Sequence, residues 1–269
     1  MTSKVLSILI VGGENSAEAF SGHSTGNASR GYVPQLVRQL QHAGWQVQVE
    51  CHTPVDIHVA LPLLQRLNLN RFDLILLELG HTRLQQPDSF SDLLRSPTYD
   101  SFINPHVKSM TMHDIATQCG RGRTGSCPAG SRLFDRVQSG MKLITLRSLA
   151  AVRRVGRLRE IEAQLTDLLY YMQPYRRRLV MLTPMPHPQS VNNWLRQKGR
   201  DLFGQFGRRH MIPVFETALV IGRGEEFFAN PEQGQLSPVA GDLLGQTLFD
   251  YIQINALLPA RPELRQPRR

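Results

Sequence analysis

The run FDLILLEL at Phe72–Leu79 is apolar almost without interruption. A strand with no polar face must be covered on both sides, so this segment calls for a sheet buried between two layers. Shorter strand-like runs recur at Val5–Val11, Arg178–Thr183 and His210–Phe215, and Gln46–Cys51 alternates as a further strand. Helical patterns separate them. Tyr32–His42 sets Val33, Leu36, Val37 and Leu40 on one face before the stop at Gly44, and Asp56–Leu67 reads as a helix that Pro62 should disturb. A helix from about Leu146 to Met172, the basic amphipathic Ser190–Arg209 and the closing Ala240–Leu257 complete the alternation. Strands alternating with helices, joined by right-handed crossovers, predict one α/β domain with a doubly wound, five-stranded parallel sheet and helices on both faces.

The domain is expected to span residues 1–258. A Ser/Pro/Gly-rich insertion interrupts it at about 85–139, and a basic Pro/Arg-rich tail at 259–269 reads as disordered. The insertion contains CGRGRTGSC at Cys119–Cys127, which is no phosphate loop: its glycine spacing is wrong and no lysine precedes the final serine. Hydrophobic residues make up 41% of the 269, and the early apolar run is too short to cross a bilayer. The expectation is a cytoplasmic protein without a membrane span. Cys51, Cys119 and Cys127 form no Cys-x-x-Cys pair and read as reduced thiols, which excludes a zinc ribbon.

The formal net charge is +9, with the excess concentrated in Arg121–Arg159 and Arg261–Arg269. Neither stretch interleaves aromatic residues as a single-strand binding surface would, which argues against a nucleic-acid partner. A binding or scaffold protein using a basic face is the third functional reading.

Ligands of open parallel sheets bind beyond the carboxyl ends of the strands. There the chain offers Gly12, Gly13, Glu14, Asn15 and Ser16 after the first strand, and His52 and Thr53 after the second. Gly80, His81 and Thr82 follow the third, His187 the fourth, and Glu216 and Thr217 the fifth. His52, His81, His187 and Glu216 are candidate metal ligands, with His23 nearby. No compact His-x-His or His-x-x-x-His spacing supports them, so neither metal nor cofactor is expected.

Four blocks in order resemble the SGNH/GDSL hydrolase superfamily. ILIVGGENS at Ile8–Ser16 is similar to its first block, in which a strand runs into Gly-Asp-Ser. FDLILLELGHT at Phe72–Thr82 resembles the strand ending in Gly-x-Asn, and RRRLVMLTPMPHP at Arg176–Pro188 the fourth strand with its Pro-rich turn. QLSPVAGDLLGQTLFDYI at Gln235–Ile252 resembles the closing block after Asp-x-x-His. The resemblance implies a flavodoxin-like three-layer sandwich and an ancestral acyl-ester hydrolase. It also marks systematic departures. The serine position holds Glu14 or, with a one-residue slip, Asn15. Gly80 keeps the family's glycine, Thr82 stands for the oxyanion asparagine, Glu232 for the aspartate and Gln235 for the histidine.

Acyl transfer needs a nucleophile whose proton is taken by a base, and a carboxylate that orients the base. Glu14 only accepts hydrogen bonds when ionised, and Gln235 does not titrate. The resulting expectation is a catalytically silent protein that keeps a crevice for a small ligand. The enzyme alternative is an esterase or acetylhydrolase in which Ser16 is the displaced nucleophile and a histidine such as His81 or His187 is the base, acting on an acyl ester.

Overall fold

The computed structural model describes residues 5–13, 31–79, 84, 156–232 and 234–259. In chain order its elements are β1 (Val5–Gly12), α1 (Val33–His42), β2 (Gln46–His52), α2 (Ile57–Arg66), β3 (Leu74–Glu78) and α3 (Gly156–Met172). They continue with β4 (Leu179–Leu182), α4 (Ser190–His210), β5 (Val214–Phe215), β6 (Phe228–Asn230), β7 (Gln235–Leu236) and α5 (Pro238–Ile254). The first five strands form one parallel sheet in the order β2-β1-β3-β4-β5. The expected fold class therefore holds: a five-stranded parallel sheet covered by helices on both faces.

The pleat sends alternate residues to two cores. Leu9, Val11, Ile75, Leu77, Leu179 and Met181 pack with α2, α3 and α4. Ile8, Ile10, Leu74, Leu76, Val180 and Leu182 face α1 and α5. All of β3 is buried, as an apolar central strand requires. Trp194 anchors the first core, while Trp45 and Met185 lie in the second, so these large side chains serve packing.

Helix α5 approaches α1 closely because two of its residues are glycines one turn apart. A Cβ on Gly245 would lie 2.5 Å from the Tyr32 carbonyl oxygen, and one on Gly241 would lie 3.0 Å from the Gly31 backbone. The start of α5 is fixed by Ser237, whose Oγ accepts from the Ala240 N–H and donates to the Glu226 carbonyl.

Several boundaries differ from the sequence reading. Pro62 does not interrupt α2: it is exposed, and the helix is held by the Asp56 cap, whose Oδ1 accepts from Ile57 N–H at 2.7 Å, and by buried Ile57, Ala60 and Leu64. The expected strand His210–Phe215 is divided. His210 closes α4, Met211 turns the chain at φ 54°, and only Val214 and Phe215 pair with β4. The short antiparallel pair β6–β7 has no counterpart in the sequence pattern. The insertion and residues 260–269 of the tail lie outside the described residues, as does the chain before Gly156 in the expected long helix.

Candidate functional site

The carboxyl ends of the five strands gather a set of buried polar groups, and the central one is a residue that pattern reading absorbed into an apolar run. Glu78 ends β3 with no exposed surface. Its Oε2 accepts from the Tyr32 hydroxyl at 3.0 Å, and its neighbour across the ladder is Gly12. A Cβ at Gly12 would come within 2.6 Å of the Glu78 Cβ, so a glycine is needed where β1 passes this side chain. The one signal available in the sequence was the lone charge in LILLEL.

The Glu78 carboxylate acts on three other groups. Burial, reinforced by the Glu78 charge and hydrogen bond, pushes the Tyr32 phenol well above its usual range. Burial followed by the same charge raises the Cys51 thiol to about 11, against a lowering hydrogen bond from Thr53. Arg196, reaching over the strand ends from α4, is 1% exposed. Burial and the nearby Arg200 lower its guanidinium to about 10 and Glu78 opposes them, so it stays a cation at neutral pH. Nη1 of Arg196 donates to the Met185 and Pro186 carbonyls at 3.3 Å each, bracing the turn after β4.

That turn carries His187, which is fully buried. Its Nδ1 accepts from the Gln189 N–H at 3.1 Å, and its own N–H donates to Asn193 Oδ1 at 3.2 Å. An acceptor role for Nδ1 leaves the ring proton on Nε2. Nε2 makes no regular hydrogen bond among the described residues. It packs on the β6–β7 turn, where a Cβ on Gly234 would meet the ring Cδ2 at 2.8 Å and Nε2 at 3.2 Å. Burial, then the Arg196 charge, lower the imidazole to about 4, and the Glu232 backbone only partly offsets them. His187 is thus neutral at pH 7 with its one lone pair already engaged.

The other expected site residues are spread out. His52 Nε2 and Glu50 Oε1 are 3.0 Å apart on the edge strand β2, and Glu50 also pairs with Arg71. Three strand spacings, about 14 Å, separate the ends of β2 and β4 in such a sheet. Glu216 accepts from Thr183 Oγ1 at 3.1 Å and faces Arg200 Nε at 3.6 Å. Thr217 closes this corner by donating its N–H to Thr183 Oγ1 and its hydroxyl to the Thr183 carbonyl. Among the described residues no three His, Cys, Asp or Glu side chains converge as metal ligands. In the closing turn, Gln235 sits in β7 opposite Asn230, and exposed Glu232 donates its N–H to Asn230 Oδ1. Glu14, Asn15, Ser16, His23, Gly80, His81 and Thr82 lie outside the described residues.

Solved structures share this arrangement. An acetylxylan esterase from Geobacillus stearothermophilus superposes with a TM-score of 0.53 at 11% identity, over 95% of this chain and 97% of that one. An α/β hydrolase from the metagenome of Lake Arreo gives 0.53 at 12% over the same shares. The lipase/acylhydrolase from Enterococcus faecalis gives 0.50 at 13%, over 94% and 97%. The chain has the fold of the SGNH/GDSL hydrolases. Identities this low establish the fold alone and leave the chemistry of this chain to its own residues. Two further structures of the Geobacillus esterase are catalytic mutants, one with a serine and one with an aspartate replaced by alanine. No family model matches the sequence, and no curated protein matches it. No helix among the described residues is long and apolar enough to cross a membrane.

Proposed function

We propose that this SGNH-like chain binds a small ligand at the carboxyl ends of its strands and does not hydrolyse it. The reading is carried by the closing turn, where Gln235, which the resemblance in sequence sets at the place of the family's base, stands opposite Asn230 in the β6–β7 pair. An amide has no proton-accepting pKa near neutrality, so a serine facing it would keep its proton. His187 supports the same conclusion from the β4 side. Its Nδ1 is occupied by the Gln189 N–H, and its depressed pKa removes the driving force for proton uptake. On this reading residues 1–258 form one cytoplasmic domain.

The second reading is favoured by the esterases that share the fold. Here Ser16 is the nucleophile, and His81 or another histidine near the strand ends serves as base on an acyl ester. Hydrolysis of p-nitrophenyl acetate separates the two. The binding reading expects turnover equal to that of heat-denatured protein, both for the native chain and for Ser16→Ala. Turnover well above that blank and abolished by Ser16→Ala would overturn it in favour of the esterase.

A further inference from the structure

Helices α2 to α5 all end at the amino-terminal edge of the sheet, opposite the site described above. The 3-10 segment Gln173–Arg178 that enters β4 brings Arg176 and Arg177 there, and the last turn of α4 brings Arg208 and Arg209. Gln173 Nε2 and His210 Nδ1, 2.9 Å apart, hold the two segments together. Arg178 is consumed internally, donating to the Phe72 carbonyl at 2.7 Å and standing over the Tyr175 ring. Arg176, Arg177, Arg208 and Arg209 enter no ion pair among the described residues.

Cations at helix carboxyl ends complement the macrodipole, which accounts for the sign of the charge. It does not account for the apolar side chains displayed beside it. Tyr170 in the last turn of α3 is 79% exposed, Met211 just after α4 is 68% exposed, and Ile254 at the end of α5 is 82% exposed. Tyr251, one turn before Ile254, donates its hydroxyl to the Val214 carbonyl at 3.1 Å and fixes that end of α5 beside β5.

Arginines with no ion pair among the described residues, at the same edge as outward-facing apolar side chains, match the interface of an anionic bilayer, where headgroup phosphates meet acyl chains. A phosphodiester polymer would use the arginines and leave Met211 and Ile254 in water. A single-strand binder also needs stacking platforms, and Tyr175 is already capped by Arg178. We propose that the amino-terminal edge of the sheet is a peripheral docking surface for an anionic lipid bilayer. Arg176, Arg177, Arg208 and Arg209 lie against the phosphates, and Tyr170, Met211 and Ile254 enter the acyl boundary. This is independent of the hydrolytic question, since none of these residues stands at the carboxyl ends of the strands.

The test is co-sedimentation of the full chain with phosphatidylcholine vesicles with and without phosphatidylglycerol. Partitioning is expected only with phosphatidylglycerol, and raising the salt should weaken it. A basic side chain at such a surface is worth roughly fivefold in partitioning, so reversing all four arginines to Glu should lower binding by at least about 100-fold. Met211→Ser with Ile254→Ser should lower it severalfold while keeping the salt dependence. Absence of binding, or serine variants that bind like the native chain, would overturn the proposal. So would tighter binding to single-stranded DNA than to vesicles, which would assign the face to nucleic acid.

Discussion

A histidine placed after a strand end in a hydrolase-like fold invites a catalytic role, and His187 shows how burial decides otherwise. Its ring has no exposed surface, lies near the Arg196 cation and already accepts a backbone N–H. Protonation would put a second cation into the same dry pocket. The fold depresses its pKa from 6.5 to about 4, so the unfolded chain takes up this proton first on acidification. The stability linked to His187 is therefore complete above pH 6.5, falls as the pH drops, and is gone below about 4. A shift of that size corresponds to about 3 kcal/mol. In His187→Gln, whose amide oxygen can still accept from Gln189, that pH-dependent component should vanish. Urea unfolding of both proteins at pH 7 and pH 4.5 measures it: the native chain should lose more stability between the two than the variant. Equal losses would mean that the imidazole already titrates normally in the folded state.

At the scale of elements, the closeness of α1 and α5 brings Tyr32 to Glu78, and glycines set that closeness. Gly245→Ala would push a methyl group into the Tyr32 carbonyl, where the 2.5 Å separation leaves no room. The expected cost is about 1–3 kcal/mol from overpacking, with a fall in Tm. Gly204→Ala in α4 is the contrast, because the nearest atom to its Cβ is 3.9 Å away, on the end of the Arg208 side chain. That change should be neutral or gain up to about 1 kcal/mol of helix propensity. Thermal melts of the two variants separate packing from propensity. The contrast also shows what the sequence made legible. Periodicity located α1, α4, α5 and the apolar strands, because those elements repeat their own burial pattern. It could not bound β5 or find β6 and β7, whose two or three residues are strands only through partners elsewhere in the chain. It overrated Pro62, whose missing N–H is offset by the Asp56 cap and a buried face. It also passed over Glu78, since one charge in an apolar run has no period to betray it. The polar residue types after the strand ends were legible in the sequence, whereas the neutral, locked state of His187 depends on a backbone donor and a cation that only the fold supplies.

Across the described residues, the sheet separates two cores. Arg196 leaves the α4 layer to reach the Met185 and Pro186 carbonyls, beside the core that α1 and α5 cover. Glu78 faces that second core through Tyr32 and raises the Arg196 pKa against burial. Both side chains are buried, and the Glu78 charge favours the Arg196 cation. Glu78→Ala should cost about 1–3 kcal/mol, because the buried Tyr32 hydroxyl loses its acceptor. Replacing both, as Glu78→Ala with Arg196→Met, should cost less than the two single changes combined, by about 1–3 kcal/mol of coupling. Urea unfolding of the four proteins closes this cycle. Strict additivity would mean that Glu78 and Arg196 stabilise their own layers separately. A positive coupling would make the strand ends of this fold a joint between layers, and would explain why a carboxylate stands where the rest of β3 is aliphatic.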